Sequence, residues 1–341
     1  MILILKYKDQ LRVSSEQVAD WIDYLGGEYR FLSGNDFLDG NMTFCNELDG
    51  TNEKFVITSS EKNREEIDLR LVNVVWCRGF VRHREFTKKI LQGISSTNDN
   101  ISELKLRVVY ALRKITGQLF ARLKSSYQLP DMEAMKVDKW ETLKLAQVHG
   151  IQIPRSIVTN SASKLLTFID SIGCDVISKS LYEGVFFNDA ESIYFFKTQL
   201  ITKSVLEDIP ESFFPSLFQE YIEKQYELRI FFLEGKFYSM AIFSQLDEQT
   251  KIDFRNYNET KPNRTVPYCL PSEIETKLGA LMRDMNLNTG SIDMIRSKDG
   301  GYYFLEVNPT GQFGMTSFPC NYFLEKKIAE VLIKEDLRNE G

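Results

Sequence analysis

Only two histidines, His83 and His149, occur in the 341 residues, so a histidine-rich metal centre or a Ser-His-Asp triad has little to be built from. The five cysteines, Cys45, Cys77, Cys174, Cys269 and Cys320, are scattered, odd in number and free of C-x-x-C spacing. That excludes a disulfide framework and a structural zinc site and predicts reduced thiols. No apolar run approaches the roughly 20 residues of a membrane span. The opening stretch MILILKYKDQLR is too short and lacks a cleavage site, so it is expected to be a buried first strand of a cytoplasmic protein with no membrane partner. A net charge of −6 also argues against nucleic acid as the partner, since non-specific binding needs a basic surface. Metal chemistry, if present, falls to hard oxygen ligands.

With 43% hydrophobic and 26% charged residues, the chain should fold into two or three packed subdomains, and it shows no internal repeat or low-complexity stretch. The first part reads as an α/β unit with a parallel sheet. Strands are expected at Ile2 to Tyr7, Tyr29 to Leu32, Phe55 to Thr58 and in the apolar run Leu71 to Cys77, with a helix around Glu16 to Leu25. A helix over Ile101 to Tyr127 follows from the spacing of Leu104, Val108, Leu112, Ile115, Leu119 and Leu123, and Leu129-Pro130 stops it. That break is the first domain boundary. Beyond it lie a helix at Lys139 to His149 closed by Gly150, a strand at Ser156 to Thr159, a helix from Ser161, a strand at Asp175 to Lys179, and aromatic-rich β-structure over Glu183 to Lys197. From Leu217 the pattern is that of strands turned at Glu234-Gly235. The basic groups Arg78, Arg82, His83, Arg84 and Lys105 to Lys124 read first as solvated faces.

The most informative stretch runs from Gly290 to Gly314. Asp299-Gly300 is a favoured two-residue turn that pairs Lys298 with Gly301. Counting outward, Asp293 falls opposite Glu306, and Asn308 shares the face of Glu306. The other face, with Ile292, Met294, Tyr303, Leu305 and Val307, is expected to pack on a core. Two opposed carboxylates repel, and a divalent cation resolves the conflict. Magnesium takes one or two carboxylates plus phosphate oxygens. From spacing alone, an exposed hairpin with two unrelated acids is an equal reading.

The E-V-N at 306 to 308 with Asp293, the positions of Lys139 and Lys179, and FQEYIE followed by E-L-R at 227 to 229 resemble the ATP-grasp superfamily over residues ~130 to 330. VWCRGF at 75 to 80 and NPTGQFG at 308 to 314 extend the likeness over nearly the whole chain to the graspetide (microviridin-like) peptide maturases of the grasp-with-spasm type. The resemblance implies α/β and α+β architecture. An N-terminal α/β domain at 1–128 would lie on the peptide-substrate side, with a central lid subdomain at 129–212 and a C-terminal ATP-grasp subdomain at 213–335 carrying the metal hairpin.

It further implies ATP and Mg2+, expected as two ions, held by Asp293, Glu306 and Asn308. Lys139 and Lys179 would bind the phosphates. Glu220, Tyr221 and Ile222 would edge the adenine, and Glu227, accepting two hydrogen bonds, would hold the ribose. Arg229 and Lys179 would act in phosphoryl transfer, with Arg229 and Arg78 facing the peptide. Two departures stand out. The lid loop Ser180 to Asn188 carries one glycine, Gly184, and the arginine that D-alanine ligases place two residues before the metal Asp is Ser291 here.

The implied substrate is a ribosomal precursor peptide with a leader and an acidic core. Its Asp or Glu side chain would accept the γ-phosphate and a Ser, Thr or Lys side chain would attack, giving an ester or amide ring. The resemblance also implies a homodimer. Two other readings stay open: an amino-acid ligase of the RimK-like, glutamate-adding kind, and a nucleotide-binding module without catalysis.

Overall fold

The computed structural model describes residues 1–7, 14–59, 66–81, 100–181, 186–188, 193–195, 198–256 and 258–338. Arg82, His83, Arg84 and Gly184 lie outside the described residues. Two compact units divide the chain: Met1–Met135 with Phe323–Gly341, and Lys136–Tyr322.

The first unit is built on β1 (Ile2–Leu5), β2 (Tyr29–Leu32), β6 (Val74–Cys77) and β7 (Tyr127–Leu129), in the parallel order β2-β1-β6-β7. The continuous runs ILIL and VVWC are buried on both faces, as strands of a covered parallel sheet are. Helix α1 (Ser14–Tyr24) and the C-terminal helix Leu324–Arg338 belong to this unit, and the latter is tied to the start of β6 by Asn73, whose amide donates to Asp336 at 2.9 Å. The expected strand at Phe55 to Thr58 is not part of the parallel sheet. It lies in β4 (Asn52–Ser59), which pairs antiparallel with β3 (Met42–Asp49) and β5 (Glu66–Ile67). The long helix, Asn100–Arg122, buries Leu112 and Leu119, whereas Leu104 and Ile115 of its predicted stripe remain exposed.

In the second unit, the helix Lys139–Val148 is capped by Asp138, whose carboxylate accepts the Glu141 N–H at 2.9 Å. Gly150 follows at φ +67, a backbone conformation that favours glycine. Strands β8 (Ser156–Ser161), β9 (Val176–Lys179), β12 (Gln199–Ile201) and β13 (Ser212–Glu220) form an antiparallel sheet ordered β12-β9-β13-β8. The described part of the aromatic segment is a two-stranded ribbon, β10 (Phe186–Asn188) with β11 (Ile193–Phe195).

A second antiparallel sheet contains β14 (Lys224–Leu233), β15 (Lys236–Phe243), β16 (Arg264–Tyr268), β17 (Thr289–Ser297) and β18 (Tyr302–Asn308), ordered β16-β15-β14-β17-β18. Glu234 at φ 47 and Gly235 at φ 81 make the two-residue turn between β14 and β15. Among the described residues no helix is long and apolar enough to cross a membrane.

Candidate active site

Asp293 pairs with Glu306 across β17 and β18, as the sequence requires, but by a different route. The turn is not the expected two-residue one. Ser297 rather than Lys298 meets Gly301, its N–H donating to the Gly301 carbonyl at 3.0 Å, so Lys298, Asp299 and Gly300 form a three-residue loop. This shifts the pairing by one, giving Arg296 opposite Tyr302. A bulge at Leu305 shifts it back, so that Met294 opposes Phe304 while Asp293 still opposes Glu306. The core-facing residue is consequently Phe304, 0% exposed, and not the expected Tyr303 and Leu305. Tyr303 opposes Ile295 on the site face, and Leu305 lines the cleft beside Glu306.

Next to Asp293 on β14 stands Arg229, and two residues along is Glu227 opposite Ile295. Arg229 does not pair with Glu227. One of its terminal nitrogens donates to both carboxylate oxygens of Asp293, at 2.5 and 2.7 Å, in a buried pair. Among the described residues its buried Nε has no partner, which leaves a donor for a ligand oxygen. Burial and the neighbouring charge of Glu306 push the Asp293 carboxyl up, against the pull of Arg229.

Lys139, the first residue of its helix, reaches Glu306 at 3.0 Å and also donates to the Ser180 carbonyl at 3.3 Å. Lys179 ends β9 at the same carboxylate's side of the cleft. Burial alone would raise the Glu306 pKa, but Lys139, Lys179 and Arg255 outweigh it and hold the group down at about 2. Asn308 lies on the face of Glu306, its side-chain oxygen accepting from the Thr310 N–H at 3.0 Å. Among the described residues no three His, Cys, Asp or Glu side chains cluster into a metal cage. Two carboxylates and one amide oxygen fit a magnesium ion that takes its other ligands from phosphate and water.

Glu220, Tyr221, Ile222, Glu227, Lys179, Asp293 and Glu306 all line one cleft. Its apolar walls include Ile177, Ile222, Phe254 and Ile295. At the segment after β13, the Tyr221 N–H donates to the Asp175 carbonyl at 2.9 Å and Glu220 accepts the Arg155 N–H at 3.1 Å. Ser291 is 1% exposed, and a Cβ on Gly311 would lie 2.3 Å from its side chain. The turn Asn308 to Gly311 therefore leaves no room for an arginine at 291, which gives the D-alanine-ligase departure a steric cause.

Sequence reasoning missed Lys224, Asp253 and Arg255. Arg255 holds Asp253 at 2.8 Å and stands 3.6 Å from Glu306, in an irregular loop with no periodicity to reveal it. Arg78 lies in the first unit, where it is buried and sits over the Trp76 ring at 5.8 Å.

A family model described as a RimK-like ATP-grasp domain matches residues 136–332. Among solved structures, the chain is 25% identical to a RiPP-associated ATP-grasp ligase of Chryseobacterium gregarium, solved with ADP and a leader and core peptide. That match covers 98% of this chain and 96% of that one, with a TM-score of 0.80. Macrocyclase MdnC of Microcystis aeruginosa MRC, bound with precursor peptide MdnA, is 24% identical over 98% and 99% of the two chains, with a TM-score of 0.78. The ATP-grasp ligase PsnB, complexed with minimal precursor, Mg and ADP, is 15% identical over 98% and 97%, with a TM-score of 0.75. At such identities these last two speak to the fold, which is ATP-grasp. No curated protein matches the chain in sequence.

Proposed function

The chain belongs to the RimK-like ATP-grasp family, and we propose that it is an ATP-dependent ligase closing side-chain rings in a ribosomal precursor peptide. The observation that carries this is the cleft itself. Paired acids backed by Arg229 and Lys139 face the same cleft as the Glu220-Tyr221-Ile222 segment and an apolar wall. The Chryseobacterium ligase, alike over nearly its whole length, was solved with ADP and with a leader and core peptide, which supports the same substrate class here.

In this reading Asp293, Glu306 and Asn308 hold magnesium, which when bound neutralises polyphosphate charge. Lys139, Lys179, Arg255 and Arg229 supply fixed positive charge for phosphoryl transfer to an Asp or Glu of the peptide. Transfer of this kind depends on positioning and charge, which suits a site without a protein nucleophile. Glu220, Tyr221 and Ile222 take the adenine and Glu227 the ribose. The domain assignment 1–128, 129–212 and 213–335, a peptide contact at Arg78, a homodimer and a cytoplasmic setting belong to the same reading and rest on the resemblance. A charge reversal, Arg78→Glu, is expected to weaken peptide modification while sparing ATP binding; unchanged peptide turnover removes Arg78 from the account.

The test is incubation with a Ser/Thr- and Asp/Glu-rich precursor peptide, ATP and magnesium, read by mass spectrometry. Loss of one water per ring, with one ADP formed for each, is expected. A mass gain would instead identify an amino-acid ligase, and ATP binding without any product would identify a non-catalytic module.

A further inference from the structure

Lys224 and Glu227 are three residues apart, a spacing that places side chains on opposite faces of a regular strand. The pairing of β14 with β17 slips by one between Lys224 and Tyr226, and this bulge turns both side chains to the same side. The Lys224 ammonium, only 3% exposed, donates to Glu227 Oε1 at 2.5 Å and to the backbone carbonyl of Ile252 at 2.9 Å. Ser244 donates to the same Oε1 at 2.9 Å. One carboxylate oxygen of Glu227 is thus engaged twice, and Glu227 still lines the cleft.

Ile252 immediately precedes Asp253-Phe254-Arg255, the loop that brings a guanidinium to Glu306. The loop is also anchored by Thr250, whose hydroxyl donates to the Ser244 carbonyl at 2.9 Å, and by the Lys251 carbonyl, which accepts from Gln245 at 3.0 Å. These are neutral bonds. Lys224 alone among these anchors carries charge, and a buried ammonium is tolerated only while its acceptors stay in place.

We propose that Lys224 is a positioning residue that ties Glu227, at the nucleoside end of the cleft, to the loop carrying Arg255, at the acidic end. A ligand that bonds Glu227 changes how much of that carboxylate is left for Lys224, and the ammonium compensates through the Ile252 carbonyl. Filling one end of the cleft therefore tightens the loop at the other, a coupling between two parts of one site. The inference rests on the reading of the cleft as a nucleotide site.

Hydrogen exchange of the full chain with and without Mg-ADP tests it. In the wild type, Mg-ADP should slow exchange at least about fivefold both in the segment 219–223 and in 250–256. In Lys224→Met, the slowing at 219–223 should persist and that at 250–256 should disappear, while Lys224→Arg, which keeps the charge and the donors, should restore it. Should Lys224→Met fail to fold, Lys224→Met with Glu227→Gln removes both buried charges together and should show the same loss. Equal protection of 250–256 in wild type and the Met variants overturns the proposal. No protection of either segment in the wild type overturns the nucleotide reading beneath it.

Discussion

Two hairpins share the five-stranded sheet, and they are built to different standards. That of β14 and β15 closes on a two-residue turn, Glu234-Gly235, and pairs without interruption from Leu233 and Lys236 to Glu227 and Ile242. That of β17 and β18 closes on a three-residue loop and carries a bulge at Leu305. The uninterrupted pairing brings Glu227 and Arg229 to the site by plain strand alternation. The irregular one aims two acids and Leu305 into the cleft. A third irregularity, where β14 turns Lys224 toward Glu227, lies at the same site. Bulges of this kind re-aim side chains at the cost of ladder hydrogen bonds, and here they gather where the chemistry is placed.

The contrast can be broken most forcefully at the acids. Asp293→Asn or Glu306→Gln should each lower ADP release at least about 100-fold, the several kcal/mol that a bound divalent ion supplies. Activity within a few-fold of wild type would remove the metal role from this hairpin. Deleting Leu305 is a subtler cut, because it leaves Asp293 opposite Glu306 and removes only the bulge. A folded protein slowed about 10- to 100-fold is expected, through misplacement of the carboxylate. A deletion variant with wild-type turnover would make the bulge incidental.

In the regular hairpin, Gly235→Ala meets open space but must adopt φ 81, so denaturant unfolding should show a loss of about 1 kcal/mol with unchanged turnover. The smallest effect is expected in the three-residue loop. The Ser297 hydroxyl, and then the Gly301 N–H, hold the Asp299 carboxyl below its ordinary value of 3.8. Its stabilising contribution is present above that value and fades as pH falls below it. Asp299→Ala should thus lower the melting temperature slightly at pH 7, and by progressively less as the pH is taken below 3.8.

How far this was legible in the sequence follows from the same irregularities. The runs ILIL and VVWC announced a buried parallel sheet because covered strands are apolar on both faces. The strand at Phe55 belongs instead to the β3 to β5 sheet, whose β3 is mostly exposed, and a short apolar strand does not by itself say which sheet it joins. Asp293 opposite Glu306 was found by simple counting, although the loop and the bulge each shift the register by one in opposite senses. The faces of Tyr303 and Leu305 were misjudged for the same reason. Lys224 was invisible because alternation places it away from Glu227. Arg255 was invisible because the loop after Ser244 is held by side-chain hydrogen bonds rather than by periodicity.

Magnesium-dependent nucleotide binding at the irregular hairpin is the property on which every other assignment in the cleft depends. Calorimetric titration of ADP into the wild type should show affinity that rises at least about tenfold when magnesium is added, and Glu306→Gln should abolish the rise while leaving the magnesium-free affinity in place. Equal gains from magnesium in the wild type and in Glu306→Gln would contradict it.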